Sequence, residues 1–414
     1  MDNVTHSLAG LLLAESVTRF RARRADAPPS PRFRAVAAIS SMVAANLPDA
    51  DLFYTGVGGD RLAYMLHHRG HTHTVVIALL GAALVWGAAW LVLRRRASTA
   101  PERGEAGWLL GLLVMGTMSH LALDWTNSYG VHPFWPFDNQ WRYGDAMFII
   151  EPWLWAVSVP ALVAATTNRV ARTLLCIVFI VGLAAAWRVE FVSVGAAAVI
   201  STGAALSVVI ARARRPGVRV AAALVGWLAV TLAMAAGSAT ARGTVLRAVS
   251  EADPSAEILD VVVTPLPTNP LCATVITVER SGVTYRVARA RVSAAPSVTE
   301  AARCGSVSRM ESIFRPALRQ ATPAVQWEGE WTAPSEELAT LARGSCRARS
   351  ALRFIRAPIW RTLDDSTVML GDARFGGASG NAFTDVQVPR QSAICPDGVP
   401  PWTPPRTDLL DPRG

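Results

Sequence analysis

All seven histidines of the chain fall within its first 132 residues: His6, His67, His68, His71, His73, His120 and His132. The sharpest pattern is His120-Leu121-Ala122-Leu123-Asp124, an imidazole and a carboxylate at i and i+4. On a helix both leave one face and can reach one cation, although a hydrogen-bonded helix-end pair has the same spacing. A second pattern, His67-His68-Arg69-Gly70-His71-Thr72-His73, sets four imidazoles in seven residues. Neutral imidazole suits zinc, manganese or iron, but four so close cannot all bind, and a pH-sensitive interfacial loop is the bland alternative. Gly70 is expected to let the backbone turn there, and the Arg69 guanidinium can fork onto a phosphate or carboxylate. In Asn46-Leu47-Pro48-Asp49-Ala50-Asp51, Pro48 ends a helix and two carboxylates follow at i and i+2. Such oxygens suit one or two divalent cations, whereas a helix cap needs only one of them. His6 adds an imidazole after Thr5. Residues 125–151 hold Asn127, His132, Asp138, Arg142, Asp145 and Glu151 among tryptophans, with Asp145 and Glu151 as candidate ligands or bases.

The elements that carry these residues are membrane helices. Of 414 residues 51% are hydrophobic and 17% charged, against about 25% charged in a soluble domain. Apolar runs at 74–93, 107–124, 149–167, 173–188, 193–211 and 219–238 approach the length of about 20 residues that a bilayer needs. Weaker runs at 4–18 and 35–53 bring the expectation to about eight hydrophobic helices. The fold class is an α-helical polytopic membrane domain over 1–240, its metal site formed by 1–150, followed by a soluble α+β domain over 241–414.

With eight spans, the loops 19–34, 94–106, 168–172 and 211–219 carry 16 arginines, against four for the loops on the other side with Arg188 included. The positive-inside rule then puts the N-terminus, the histidines and the tail outside. The net charge of +9 is spent on this topology, and nucleic acid is not expected as a partner. The N-terminus lacks the positive region of a cleavable signal peptide and is expected to remain. Cys176 lies alone in a span. Cys272, Cys304, Cys346 and Cys395 lie in the tail, where an even number suits two disulfides in an oxidising compartment, with three pairings open. In the tail, runs at 258–263 and 273–278 read as strands, Ser281-Gly282 as a hairpin turn, and Glu300–Gln320 and Ser335–Arg349 as helices.

In this order, Met1-Asp2-Asn3-Val4-Thr5-His6-Ser7-Leu8-Ala9-Gly10, Leu47-Pro48-Asp49-Ala50-Asp51, His68-Arg69-Gly70-His71-Thr72-His73 and His120-Leu121-Ala122-Leu123-Asp124 resemble the YdjM-type family of LexA-regulated inner-membrane metal-dependent hydrolases. The resemblance covers roughly the first 150 residues, and Thr264-Pro265-Leu266-Pro267-Thr268-Asn269-Pro270 is similar to a segment of the family's larger members. The pattern is also similar to zinc-dependent phospholipase C and related nucleases. That similarity implies His6, Asp49, His73, His120 and Asp124 as ligands; His132 departs from it, with no His-x-x-x-Glu partner downstream. Taken with the residues themselves, the candidate metal ligands are His6, Asp49, Asp51, His67, His73, His120 and Asp124.

The resemblance implies a bacterial inner-membrane protein that hydrolyses a phosphoester or other ester, its substrate lipid-linked and its partners membrane lipids. A divalent metal, zinc before manganese or iron, would activate water. Arg69 would steady negative charge and Asp51 or Asp145 would take the proton. The competing expectation is a non-catalytic, metal- or proton-responsive membrane protein with an outer interaction domain. Neither the substrate nor the oligomeric state is legible.

Overall fold

The computed structural model describes residues 1–24, 29–55, 60–95, 104–212, 215–306 and 313–410. Helices occupy the first part: α1 (Asn3–Arg24), α2 (Pro31–Asn46), the short α3 (Leu52–Thr55) and α4 (Arg61–His67), then α5 (Val75–Arg95), α6 (Glu105–Trp125), α7 (Pro152–Ala165), α8 (Arg169–Arg188), α9 (Val194–Ala211) and α10 (Pro216–Ala252). Five of them, α5, α6, α8, α9 and α10, are long and apolar enough to cross a membrane. The expected count of about eight spanning helices is therefore reduced to five among the described residues. Helix α1 carries Glu15, Arg19 and Arg21, α2 has only 16 residues and opens with two arginines, and α7 is apolar but has 14 residues. The exposed Leu84, Ile180, Val199 and Leu228 present the surface that lipid, not water, covers.

Small residues set how closely the first helices cross, as in membrane bundles generally. A Cβ on Gly10 would stand 2.7 Å from the Ser41 carbonyl oxygen, and the Ser41 hydroxyl donates to the Gly10 carbonyl at 2.9 Å. A Cβ on Gly116 would only touch Ala44 and the Ser41 carbonyl, at 3.4 Å. Gly10 lies one turn after His6, and Gly116 one turn before His120. The close packing of α1, α2 and α6 thus brings two of the site's imidazoles to one end of the bundle. At the other end, buried Arg21 pairs with Glu105 at 3.0 Å.

Helix α10 does not stop where its apolar run ends. Its 37 residues span about 55 Å at 1.5 Å per residue, so the chain crosses the nominal domain boundary near 240 inside one helix. Its last turns bury Ala241, Val245 and Val249 against Val261, Val263, Val275, Ala288, Ala290 and Val292 of the first sheet. That sheet is antiparallel in the order β1 (Glu257–Leu266), β2 (Asn269–Ser281), β3 (Thr284–Ser293) and β4 (Val325–Pro334). The expected hairpin is present, Ser281 opposite Thr284, with Gly282 at φ +56°. A second antiparallel sheet joins β5 (Pro358–Thr362), β6 (Thr367–Asp372) and β7 (Val386–Pro389). Helices α11 (Ser335–Gly344) and α12 (Cys346–Ala351) fill the expected 335–349 region. Glu300–Gln320 is not the expected helix. Its described residues hold one turn of 3-10 helix, Ala301–Arg303, and residues 307–312 lie outside the described residues. Disulfides join Cys272 to Cys304 and Cys346 to Cys395, and Cys176 is free.

The two halves share a core. Leu62, Met65 and Leu66 of α4, with Tyr129 and Trp141 from the loop after α6, pack with Phe354, Trp360 and Trp402 of the tail. The Trp402 indole donates to the Leu66 carbonyl at 2.7 Å. The Pro-Thr-Asn turn between β1 and β2 seats on the bundle: Thr268 N–H donates to Glu151 and the Thr268 carbonyl accepts from the Trp153 indole. Gly237 allows this approach, since a Cβ there would overlap the Pro270 carbonyl.

Candidate metal centre

One ligand atom each from Asp49, His73, His120 and Asp124 lies within 4.8 Å of the others, and all four residues are buried. Three local devices bring them together. The 3-10 turn Leu47–Asp51 that ends α2 turns Asp49 and Asp51 inward. The His71–His73 turn delivers His73 just before α5. Helix α6 projects His120 and Asp124 from one face, as their i, i+4 spacing requires.

The hydrogen bonds assign the tautomers. His120 Nδ1 donates to the Ala45 carbonyl at 2.7 Å, which leaves Nε2 with a lone pair. The Thr72 hydroxyl donates to Asp51 at 2.9 Å and so accepts from His73 Nδ1 at 3.0 Å, leaving His73 Nε2 in the same state. These two Nε2 atoms stand 3.1 Å apart. Asp124 Oδ2 is 3.1 Å from His73 Nε2 and 3.3 Å from His120 Nε2, and Asp49 Oδ1 is 3.4 and 3.7 Å from them. With both rings neutral, two lone pairs and two carboxylate oxygens converge with no donor among them, a repulsion that a cation between them, or a proton on one ring, relieves. Metal-bound histidines are oriented by such outer hydrogen bonds. The residues present therefore fit a divalent cation.

His6 extends the cluster. Its ring stacks on His120 at 3.7 Å, Nε2 is 3.3 Å from Asp124 Oδ1, and neither ring nitrogen has a hydrogen-bond partner among the described residues. The Met1 α-amino group also lies against Asp124. A second group, Asp49, Asp51 and His68, adjoins the first through Asp49. Asp51 organises the histidine loop, accepting from His68 Nδ1 at 3.0 Å, Arg69 N–H at 2.9 Å and Thr72.

Of the residues singled out in the sequence, His6, Asp49, Asp51, His73, His120 and Asp124 come together. His67 does not: it closes α4, half-exposed, outside both groups, and His68 turns inward instead. The turn works differently from the expectation at Gly70. Arg69, at φ +58°, takes the left-handed conformation. Gly70 instead lets the chain pass His67 and Trp402, where a Cβ would stand 2.9 and 3.1 Å from them. Arg69 is fully buried, with Nη2 2.9 Å from Asp124 Oδ1, and so keeps its place beside the centre.

Asp145 leaves the candidate set of proton acceptors. It accepts both Nη1 and Nη2 of Arg356, at 2.8 and 2.9 Å, and Nη2 of Arg242 at 2.8 Å, so its oxygens are occupied in joining the loop to the tail. Glu151 caps α7 through the Trp153 N–H and holds the Thr268 turn. His132 is clasped between Trp402 and Trp141, ring centroids 3.9 and 3.8 Å away, and burial pushes its pKa down to about 3. It is a neutral packing residue, and His71 lies half-exposed near Trp135 and Trp402. His68 was not separable from His67 by spacing, and neither Thr72 nor the Ala45 carbonyl carries a signal that spacing reveals.

No curated protein and no solved structure matches the chain. Residues 1–192, which contain every member of both groups, match the model of the YdjM inner membrane protein family, so this multi-pass membrane part of the chain is similar to that family.

Proposed function

We propose that the protein is a metal-dependent hydrolase of phosphoesters at the outer face of the membrane. The observation that carries the reading is the pair of lone-pair-bearing imidazole nitrogens at 3.1 Å, faced by two buried carboxylates. A divalent cation, zinc by the mixed imidazole and carboxylate donor set, would supply a Lewis acid for a phosphoester oxygen. His120 and His73 present Nε2 because Ala45 and Thr72 hold their other nitrogens. Arg69 stands on Asp124 ready to balance negative charge that develops beside the centre. His68, steadied by Asp51, offers its second ring nitrogen as the proton acceptor. Asp51 itself receives three donors and acts through that histidine. The outward orientation is supported by the arginine-rich loops at the opposite ends of the helices and by two disulfides in the tail.

The test is elemental analysis and hydrolysis of a chromogenic phosphodiester by detergent-purified protein. Wild type should hold zinc, manganese or iron and turn over, and His120→Ala with Asp124→Ala should lose both. A wild type free of metal under non-chelating conditions, or full activity in the double variant, would sink the reading.

A further inference from the structure

Beside the metal centre lies a second set of groups that is short of acceptors. Arg69 Nη1 donates to Asn127 Oδ1 at 3.0 Å, and the same oxygen accepts the Tyr129 N–H at 2.9 Å. Two donors on Oδ1 fix the amide's orientation, so Nδ2 is a donor directed elsewhere. The guanidinium lies over the Tyr129 ring at 4.9 Å, and that ring packs on Phe354 at 4.9 Å. Arg69, Asn127 and Tyr129 are 2%, 4% and 7% exposed. Yet Arg69 Nε, Asn127 Nδ2 and the Tyr129 hydroxyl have no hydrogen-bond partner among the described residues. Folded proteins rarely leave one such group unmatched. Three donors in one network, one of them cationic, call for an oxygen-rich anion.

We propose that Arg69, Asn127 and Tyr129 form the seat for the phosphoryl group of the substrate, next to the metal centre; this rests on the hydrolase reading and names its substrate class. A phosphoryl group has oxygens enough to answer three donors and a cation together, whereas a carboxylate has two. Charge couples the seat to the centre. Asp124 now balances Arg69, and a cation held by Asp124 draws on that same carboxylate and leaves the guanidinium free to hold the anion. Anion binding therefore strengthens on metal loading, and the coupling is reciprocal.

The test titrates inorganic phosphate into the detergent-purified full chain, zinc-loaded and EDTA-treated, with metal content measured alongside. Asn127→Asp keeps the oxygen that Arg69 and Tyr129 use and replaces the free donor with a second oxygen; Tyr129→Phe keeps the ring and removes only the hydroxyl. Each is expected to weaken phosphate binding about 5- to 10-fold with zinc content unchanged. In the absence of phosphate, Tyr129→Phe should melt no lower than wild type, because it deletes an unmatched buried hydroxyl; a merely structural role would lower stability and binding together. Dihexanoyl phosphatidic acid, run in parallel, separates a lipid headgroup from free phosphate by which probe the same variants weaken more. Wild-type affinity in both variants, loss of zinc in step with phosphate, or a zinc-loaded wild type that binds neither probe would overturn the seat. If wild type holds no metal the hydrolase reading fails, and the variants' affinities in the EDTA-treated protein still decide the seat.

Discussion

Replacing Asp145 by Ala separates an anchor from a catalytic base, because the two roles predict opposite losses. In the structure Asp145 joins the loop after α6 to the tail by two charge-assisted hydrogen bonds from Arg356, at 2.8 and 2.9 Å, and a third from Arg242. Both Asp145 and Arg356 are buried. Removing one partner of a buried pair costs about 3–5 kcal/mol, most of it from the charge left behind. Here Arg356 retains Asp260, at 2.7 and 3.1 Å, which places the loss near the lower end, about 3 kcal/mol. Thermal or denaturant unfolding of the detergent-purified protein reads this directly. Combining Asp145→Ala with Arg356→Met removes the stranded cation and should recover part of the loss, a coupling that a double-mutant cycle isolates. Metal content should stay at the wild-type level in all three variants. Unchanged stability with loss of metal or of turnover would refute the anchor and return Asp145 to the centre.

Thr72→Val should weaken metal affinity by about 10-fold or more with His73 still in place, because the hydroxyl that sets its tautomer is gone; competition with a chromophoric chelator measures it. His132 gives an acid sensitivity: its folded pKa, about 3, lies below the usual imidazole value of 6.5. The unfolded chain therefore binds the extra proton between those values, and stability falls as pH drops through that window, by up to about 1.4 kcal/mol per pH unit. His132→Phe should flatten this part of a melting-temperature profile from pH 6.5 to 4, and an unchanged slope would exclude His132 as its source. Opening the Cys346–Cys395 bridge by Cys346→Ser with Cys395→Ser frees a loop of 49 residues. The expected loss is about 4 kcal/mol by loop entropy, seen as a lower unfolding midpoint that dithiothreitol shifts less than in wild type, because only Cys272–Cys304 remains to be reduced.

The order of the clustered residues along the chain was legible because lipid makes polar residues conspicuous. His6, Asp49, His120 and Asp124 each interrupt or end an apolar run, and each enters the cluster. Discrimination failed where neighbours share a residue type. His67 and His68 differ only in which side of the turn they face, and that is decided by Asp51, 17 residues earlier, and by the left-handed backbone of Arg69, which residue type does not announce. Asp145 looked available because its partner Arg356 lies 211 residues later. The strands and hairpin of the first sheet follow from alternation and a Ser-Gly turn, whereas the helix expected over Glu300–Gln320 ignored Pro316 and the demands of packing beside β4. Span counting erred towards eight because α1, α2 and α7 are apolar enough to suggest a crossing, yet too charged or too short to meet the full length.

Helix α10 has a mechanical consequence. No flexible tether separates the last apolar turn from the sheet it supports; the same hydrogen-bonded rod serves as membrane anchor and as spine of the C-terminal domain. A rod of this kind transmits tilt and rotation, so the C-terminal domain cannot wander over the lipid surface as a tethered module would. Bilayer thickness or lateral pressure that tips the rod must also tip the β1–β2 turn resting on Glu151 and the Trp402 contact at the histidine loop. A tilt of α10 is thereby shared with the turn that carries the histidine loop.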